Sequence, residues 1–124
     1  MATVKKLRSA NKTILLLEDH AGSRRTHAAV LSTHGYEVSS AANAADAHSL
    51  WGVQRHDLVV LAFSCHDAGV LRFLEFVLSS DPEQRVVFLH DESLYLCPVF
   101  HENRIILRGE GPDDFVQRIG ALLA

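Results

Sequence analysis

The chain has 124 residues, 48% of them hydrophobic, which is enough for one domain with its own core and too short for two. With 15 acidic against 12 basic residues and a net charge of -3, it lacks the positive excess that binding to a phosphate backbone requires, so we expect no nucleic-acid partner. The apolar runs are too short to span a membrane and no secretion core follows Met1, which together predict a cytoplasmic protein.

Five short apolar runs alternate with segments of helical spacing, which is typical of an α/β sheet. Gly35 stands where the first helix would end, and Asn43 stands where the second would be capped. The run at 58–63 is the most hydrophobic and predicts the central strand. The predicted strands are 13–17, 36–38, 58–63, 85–90 and 104–107.

The segment 91–102 is ambiguous, because Pro98 interrupts any helix there, and we expect a shortened or irregular fourth helix. A last amphipathic helix begins at Pro112. Right-handed crossovers then predict a three-layer, doubly wound, five-stranded parallel sheet of order 2-1-3-4-5 over residues 13–124. Residues 1–12 are expected to form a flexible N-terminal extension.

Polar residues follow the apolar runs at the edge of the sheet where the strands end, and this edge is the predicted functional site. The set comprises Glu18, Asp19, the stretch 62–67, His90, Asp91 and Arg108. Asp57 begins the third strand at its far end. Because a strand rises about 3.3 Å per residue, a whole strand length separates Asp57 from that edge, and it cannot belong to the site.

From Thr13 onward the chain resembles the receiver domain of bacterial response regulators. The resemblance rests on four stretches in the family's order and spacing: residues 14–20 (ILLLEDH), 35–38 (GYEV), 42–47 (ANAADA) and 56–61 (HDLVVL). It implies a flavodoxin-like fold and a place in two-component phosphorelay signalling. In such domains an aspartate accepts a phosphoryl group with the help of Mg²⁺, two acids and a lysine.

This sequence departs from the pattern that it resembles. Glu18 and Asp19 match the acidic pair, but Ala62 replaces the phosphoacceptor, His90 replaces a small hydroxyl residue, and Arg108 replaces the lysine. Ile105 stands at the switch position, where an aromatic residue is common. The resemblance therefore implies a degenerate pseudo-receiver that has lost both phosphorylation and its readout, and that is not an enzyme.

Without a third carboxylate, residual Mg²⁺ binding at Glu18 and Asp19 is expected to be weak, and no cofactor is predicted. We favour a structural role in which both acids pair with Arg108. Two alternatives stay open. Asp67 could replace the missing acceptor, or a transition metal could bind among Glu18, Asp19, His66 and His90. A flavin site is disfavoured, because the loop 19–23 lacks a run of hydroxyl residues.

The predicted function is thus that of a phosphorylation-independent protein-interaction module. The family resemblance implies protein partners such as a histidine kinase, a phosphotransfer protein or another regulator, and it leaves a homodimer open. In the family the first helix meets such partners, and here that helix carries Arg24, Arg25 and His27.

Overall fold

The computed structural model of the chain describes residues 12–53, 56–62, 68–90, 93–97, 105–108 and 112–123. Six strands and four helices lie in these ranges: β1 (Thr13–Glu18), α1 (Ala21–Thr33), β2 (Glu37–Ala41), α2 (Ala44–Val53), β3 (Leu58–Ala62), α3 (Ala68–Ser80), β4 (Val86–His90), β5 (Ser93–Cys97), β6 (Ile105–Arg108) and α4 (Pro112–Leu123). None of the described helices is long and apolar enough to cross a membrane.

The six strands form one sheet of order β2-β1-β3-β4-β5-β6. The first four strands of that order are parallel to one another, as predicted. The next strand, β5, is antiparallel to β4, and β6 is antiparallel to β5. The prediction of five parallel strands in the order 2-1-3-4-5 is therefore wrong at its fifth position, where an extra antiparallel strand stands.

The extra strand occupies residues 93–97, inside the segment 91–102 for which we predicted a shortened or irregular fourth helix, and for these five residues that prediction is wrong. Residues 91–92 and 98–102 of the segment lie outside the described residues. The sequence Ser93-Leu94-Tyr95-Leu96-Cys97 alternates polar or small with apolar residues, which favours a strand over a helix. His90 pairs with Ser93, so only two residues separate β4 from β5. Such a short connection permits an antiparallel hairpin and rules out a parallel crossover.

Two apolar clusters cover the two faces of the sheet and make three layers. Alternate side chains of β1 and β3, among them Leu16 and Val60, pack against α1 and α4. The others, among them Leu17 and Leu61, pack against α2 and α3. Strands β1 and β3 are buried along almost their whole length, as their unbroken apolar sequences predict.

The local stop and start signals of the first two helices are confirmed. Gly35 follows α1 with φ of 95°, the left-handed conformation that glycine adopts without a Cβ clash. The Asn43 side chain accepts a hydrogen bond of 2.8 Å from the backbone nitrogen of Asp46 and so caps α2. These two turns fix how α1 and α2 return across opposite faces of the sheet.

Candidate functional site

Two of the predicted pocket positions are direct neighbours in the sheet. Glu18 ends β1, Ala62 ends β3, and the two residues are register partners. Leu89 of β4 continues the same row. Ala62 and Leu89 both belong to the cluster that faces α1 and α4. Because register partners in parallel strands share a face of the sheet, the Glu18 side chain leaves the sheet on this same side.

The Glu18 carboxylate is held by the first helix. Its Oε1 lies 2.7 Å from Nδ1 of His27, and the side chains of Glu18 and His27 are only 8% and 24% exposed. A carboxylate can only accept hydrogen bonds, so His27 donates this one when Glu18 is ionised. Arg24 adds a hydrogen bond of 2.9 Å from Nη1 to the backbone carbonyl oxygen of Glu18. Helix α1 therefore engages Glu18 twice.

The position of His27 follows from how α1 begins. His20 is the N-cap, and its Nδ1 accepts a hydrogen bond of 3.2 Å from the backbone nitrogen of Ser23. From there Arg24, His27 and Leu31 follow at helical spacing on one face, and Leu31 is fully buried against the sheet. The face of α1 that carries Arg24 and His27 therefore faces the sheet.

Sequence reasoning assigned Arg24, Arg25 and His27 together to a partner-binding face. The structure corrects this for two of the three, since Arg24 and His27 contact Glu18 and only Arg25 is exposed. The i, i+3, i+7 spacing from Arg24 to Leu31 was the available signal. This spacing was missed because polar residues on a helix normally indicate a face exposed to solvent, even where they stand at positions that point toward the sheet.

Asp19, the second acid of the predicted pair, is exposed in the bend that follows β1. Consecutive residues at a strand end point in different directions, so the two acids do not form one equivalent pair of ligands. Asp57 lies at the opposite edge of the sheet. There its Oδ2 accepts a hydrogen bond of 2.8 Å from the backbone nitrogen of Thr13, which leaves it far from the pocket.

The extra strand changes where Arg108 can reach. For His90, Ile105 and Arg108 the structure describes the backbone alone. Arg108 pairs with Ser93, which pairs with His90, so the end of β6 lies at the same sheet edge as Glu18. With β5 inserted, however, β6 is three strand spacings from β3, or about 14 Å, where the predicted order gave two, or about 10 Å. The pairing of Glu18 and Asp19 with Arg108 stays a prediction, and the described partner of Glu18 is His27.

The loop after β3 falls outside the described residues, and with it the alternative acceptor Asp67 and the candidate metal ligand His66. Among the side chains that the structure does describe, no three histidine, cysteine, aspartate or glutamate residues lie close enough together to hold a metal ion. The transition-metal alternative therefore stays untested.

The donors at this edge can be compared with what Mg²⁺ requires. The ion takes six oxygen ligands in near-octahedral geometry. Glu18 and Asp19 offer carboxylates, but Oε1 of Glu18 already accepts the hydrogen bond from His27, and Asp19 faces solvent. Ala62 has no side-chain oxygen to offer. The described residues therefore fit Mg²⁺ poorly.

No protein-family model matches the chain, and no curated protein matches it. Solved structures do. The chemotaxis response regulator CheY4 of Vibrio cholerae has a TM-score of 0.72 at 17% identity, over 92% of this chain and 100% of that chain. The receiver domain of the Francisella response regulator 1452 has a TM-score of 0.68 at 13% identity, over 91% and 97%.

The HemR receiver domain of Leptospira biflexa shares 28% identity over 64% of each chain, with a TM-score of 0.58. The response regulator protein TrrA of Thermotoga maritima, in complex with Mg(2+)-BeF, has a TM-score of 0.57 at 23% identity, over 63% of this chain and 68% of that chain. The chain thus has the α/β fold of response-regulator receiver domains.

Proposed function

We propose that this chain is a degenerate receiver domain of two-component signalling, which acts as a protein-interaction module without being phosphorylated. The observation that carries the proposal is the row formed by Glu18, Ala62 and Leu89 at the carboxyl edge of the sheet. Ala62 is 5% exposed and lies directly beside the first acid of the receiver pattern, yet it has no atom that could attack phosphorus.

The contact between Glu18 and His27 supports the same proposal from the electrostatic side. In a working receiver the acids face a bound cation, whereas here the Glu18 carboxylate accepts a hydrogen bond from a side chain of the protein. A nearly buried carboxylate is costly unless it is paired, and His27 supplies the pairing from α1. Metal is then no longer needed to stabilise the carboxylate.

The resulting module has no chemical step of its own, and we propose that it is not an enzyme. TrrA, a protein of the same fold, holds Mg(2+)-BeF. Comparable binding here would require the Glu18 carboxylate to leave His27 and another group to replace the oxygen missing at Ala62. We therefore propose that any Mg²⁺ binding at Glu18 and Asp19 is weak.

The partners are proposed to be proteins: a histidine kinase, a phosphotransfer protein or another regulator. Because Arg24 and His27 are engaged with Glu18, the part of α1 available to such a partner is centred on exposed residues such as Arg25. A fixed Glu18–His27 contact would hold α1 in one position on the sheet, so the surface presented to a partner would not depend on a phosphoryl group.

The test restores the missing acid. In Ala62→Asp a new carboxylate stands beside Glu18, and repulsion should lower the melting temperature in the absence of metal. Mg²⁺ should then raise the melting temperature of Ala62→Asp, since a ligand that binds only the folded state stabilises it. Ala62→Asn is the matched control, with nearly the same shape and no charge. We expect Mg²⁺ to leave this control and the wild-type protein unchanged.

Stabilisation of the wild-type protein by Mg²⁺ as large as that of Ala62→Asp would contradict the proposal. It would mean that the existing residues already form a Mg²⁺ site, as the alternative that uses Asp67 as the acceptor requires.

A further inference from the structure

The largest exposed apolar side chains among the described residues are Val53, Leu71 and Phe76, and two of these lie on α3. Leu71 is 44% exposed and Phe76 is 41% exposed. Helix α3 packs on the face of the sheet opposite to Glu18 and His27. A function of this helix surface would therefore hold or fail independently of the pocket.

The exposed side of α3 has an internal symmetry. Its exposed residues are Ala68, Leu71, Arg72, Glu75, Phe76, Ser79 and Ser80. Reflected about the midpoint between residues 73 and 74, a small residue (Ala68) corresponds to a small one (Ser79), and an apolar residue (Leu71) to an apolar one (Phe76). The cation Arg72 corresponds to the anion Glu75.

That symmetry is what an antiparallel pair of identical helices requires. When two copies of α3 lie side by side in opposite directions with these midpoints aligned, Arg72 of each copy lies level with Glu75 of the other. Leu71 then lies level with Phe76, and Ala68 with Ser79. Two-fold symmetry thus brings opposite charges together twice, with apolar side chains on both flanks and small residues at the ends that permit close approach.

The Phe76 ring is ordered by its neighbours within the same chain. It lies 4.3 Å from the His48 ring and 5.8 Å, edge to face, from the Trp51 ring, both on α2. Trp51 is itself fixed by a hydrogen bond of 2.9 Å from Nε1 to Oε1 of Gln84. A side chain that is already ordered loses little conformational entropy on binding, which favours association.

We propose that the exposed side of α3 is an isologous interface, and that its partner is a second copy of this chain packed antiparallel across Arg72 and Glu75. A different protein would not need the symmetric placement of opposite charges about the helix midpoint, whereas a second copy does. One helix per subunit gives a small interface, so we expect a weak, reversible dimer.

Charge swaps test this geometry. In Arg72→Glu the facing positions become acid against acid, and in Glu75→Arg they become base against base. We expect each swap to raise the dissociation constant of the homodimer by about tenfold or more, since two attractive pairs become two repulsive ones. An equimolar mixture of the two variants should associate again. In the mixed dimer the acid introduced by Arg72→Glu faces the base introduced by Glu75→Arg, and the unchanged Arg72 of one chain faces the unchanged Glu75 of the other.

The measurement is sedimentation equilibrium at low salt over a concentration series that reaches the millimolar range. Arg25→Glu, which makes the same charge change on exposed α1, is the matched control and should dimerise like the wild-type protein. Far-UV circular dichroism and thermal melting check folding, which exposed substitutions should leave intact. The dimer should weaken as salt rises, because the charge pairs lie near the surface.

Three results would overturn the proposal: a wild-type protein that stays monomeric through the series, swaps that leave the dissociation constant unchanged, or variants that fail to associate when mixed. The second result would place dimerisation on another face. A monomeric wild type that binds a different protein through α3 would also refute the second copy as partner.

Discussion

Removing the imidazole of His27 tests whether this side chain stabilises the Glu18 carboxylate. In His27→Ala the carboxylate keeps its place at the end of β1, where it is 8% exposed, but loses the donor 2.7 Å away. A buried polar group left without its partner costs about 1–3 kcal/mol. Because the His27 side chain is 24% exposed, water can enter part of the space that it leaves. We therefore expect His27→Ala to lower the free energy of unfolding by about 2 kcal/mol.

The assay is urea denaturation followed by circular dichroism, with thermal melting beside it. For a domain of this length, 2 kcal/mol corresponds to a drop of about 6–10 °C in melting temperature. His34→Ala is the matched control on the same helix. His34 is exposed and its Nδ1 bonds only the carbonyl oxygen of Val30 among the contacts described, so its loss should cost about 1 kcal/mol or less.

A second substitution separates charge from volume. Glu18→Leu places an apolar side chain in the row of Ala62 and Leu89, where no donor is needed. We expect Glu18→Leu/His27→Ala to be more stable than His27→Ala alone, with a coupling free energy of about 1–2 kcal/mol between the two sites. Equal costs for His27→Ala and His34→Ala, or additive effects in the double variant, would refute the reasoning.

Three further substitutions probe other parts of the account, each by urea denaturation. Gly35→Ala should lower the free energy of unfolding by about 1 kcal/mol, because φ is 95° there. Gly52→Ala, in α2 with open space around it, should raise that free energy by about 0.5–1 kcal/mol. Changes of the same sign would refute the backbone explanation. Gln84→Ala removes the acceptor of the Trp51 indole hydrogen bond and should lower the free energy of unfolding by about 1–3 kcal/mol. Gln117→Ala, on the exposed side of α4, is its control and should lower that free energy by less than about 0.5 kcal/mol. Equal losses would mean that the indole bonds to water instead. Leu61→Ala, at a fully buried position of β3, should cost about 2–5 kcal/mol, and a cost near zero would mean that β3 is not the central strand.

Most of the parallel half of the fold could be predicted from the sequence because its signals are local. Unbroken apolar runs mark β1 and β3, and Gly35 and Asn43 mark the limits of two helices. The antiparallel strand β5 was missed for a different reason. The alternation in residues 93–97 was present, but the strand–helix alternation of the preceding chain favoured a helix there, which Pro98 was expected only to shorten or distort.

The site could be located but not assembled from the sequence. Polar residues after apolar runs placed Glu18 at the carboxyl edge of the sheet, and the resemblance to receiver domains singled out Ala62 beside it. The partner of Glu18 was not found, since His27 is nine residues away and its contact depends on how α1 lies across the sheet. Arg108 was the favoured partner because its planar guanidinium could bridge the two carboxylates in the space left at Ala62. That pairing stays a prediction, since the structure describes only the backbone of Arg108.

The most direct test of the central claim is a two-dimensional NMR titration of the ¹⁵N-labelled wild-type protein, first with Mg²⁺ and then with beryllofluoride in its presence. A receiver that lacks a phosphoacceptor should show no saturable shifts at the amides of Glu18, Asp19 and Ala62. Saturable shifts there would contradict the account, and their loss in Asp67→Asn would identify Asp67 as the acceptor that replaces Ala62.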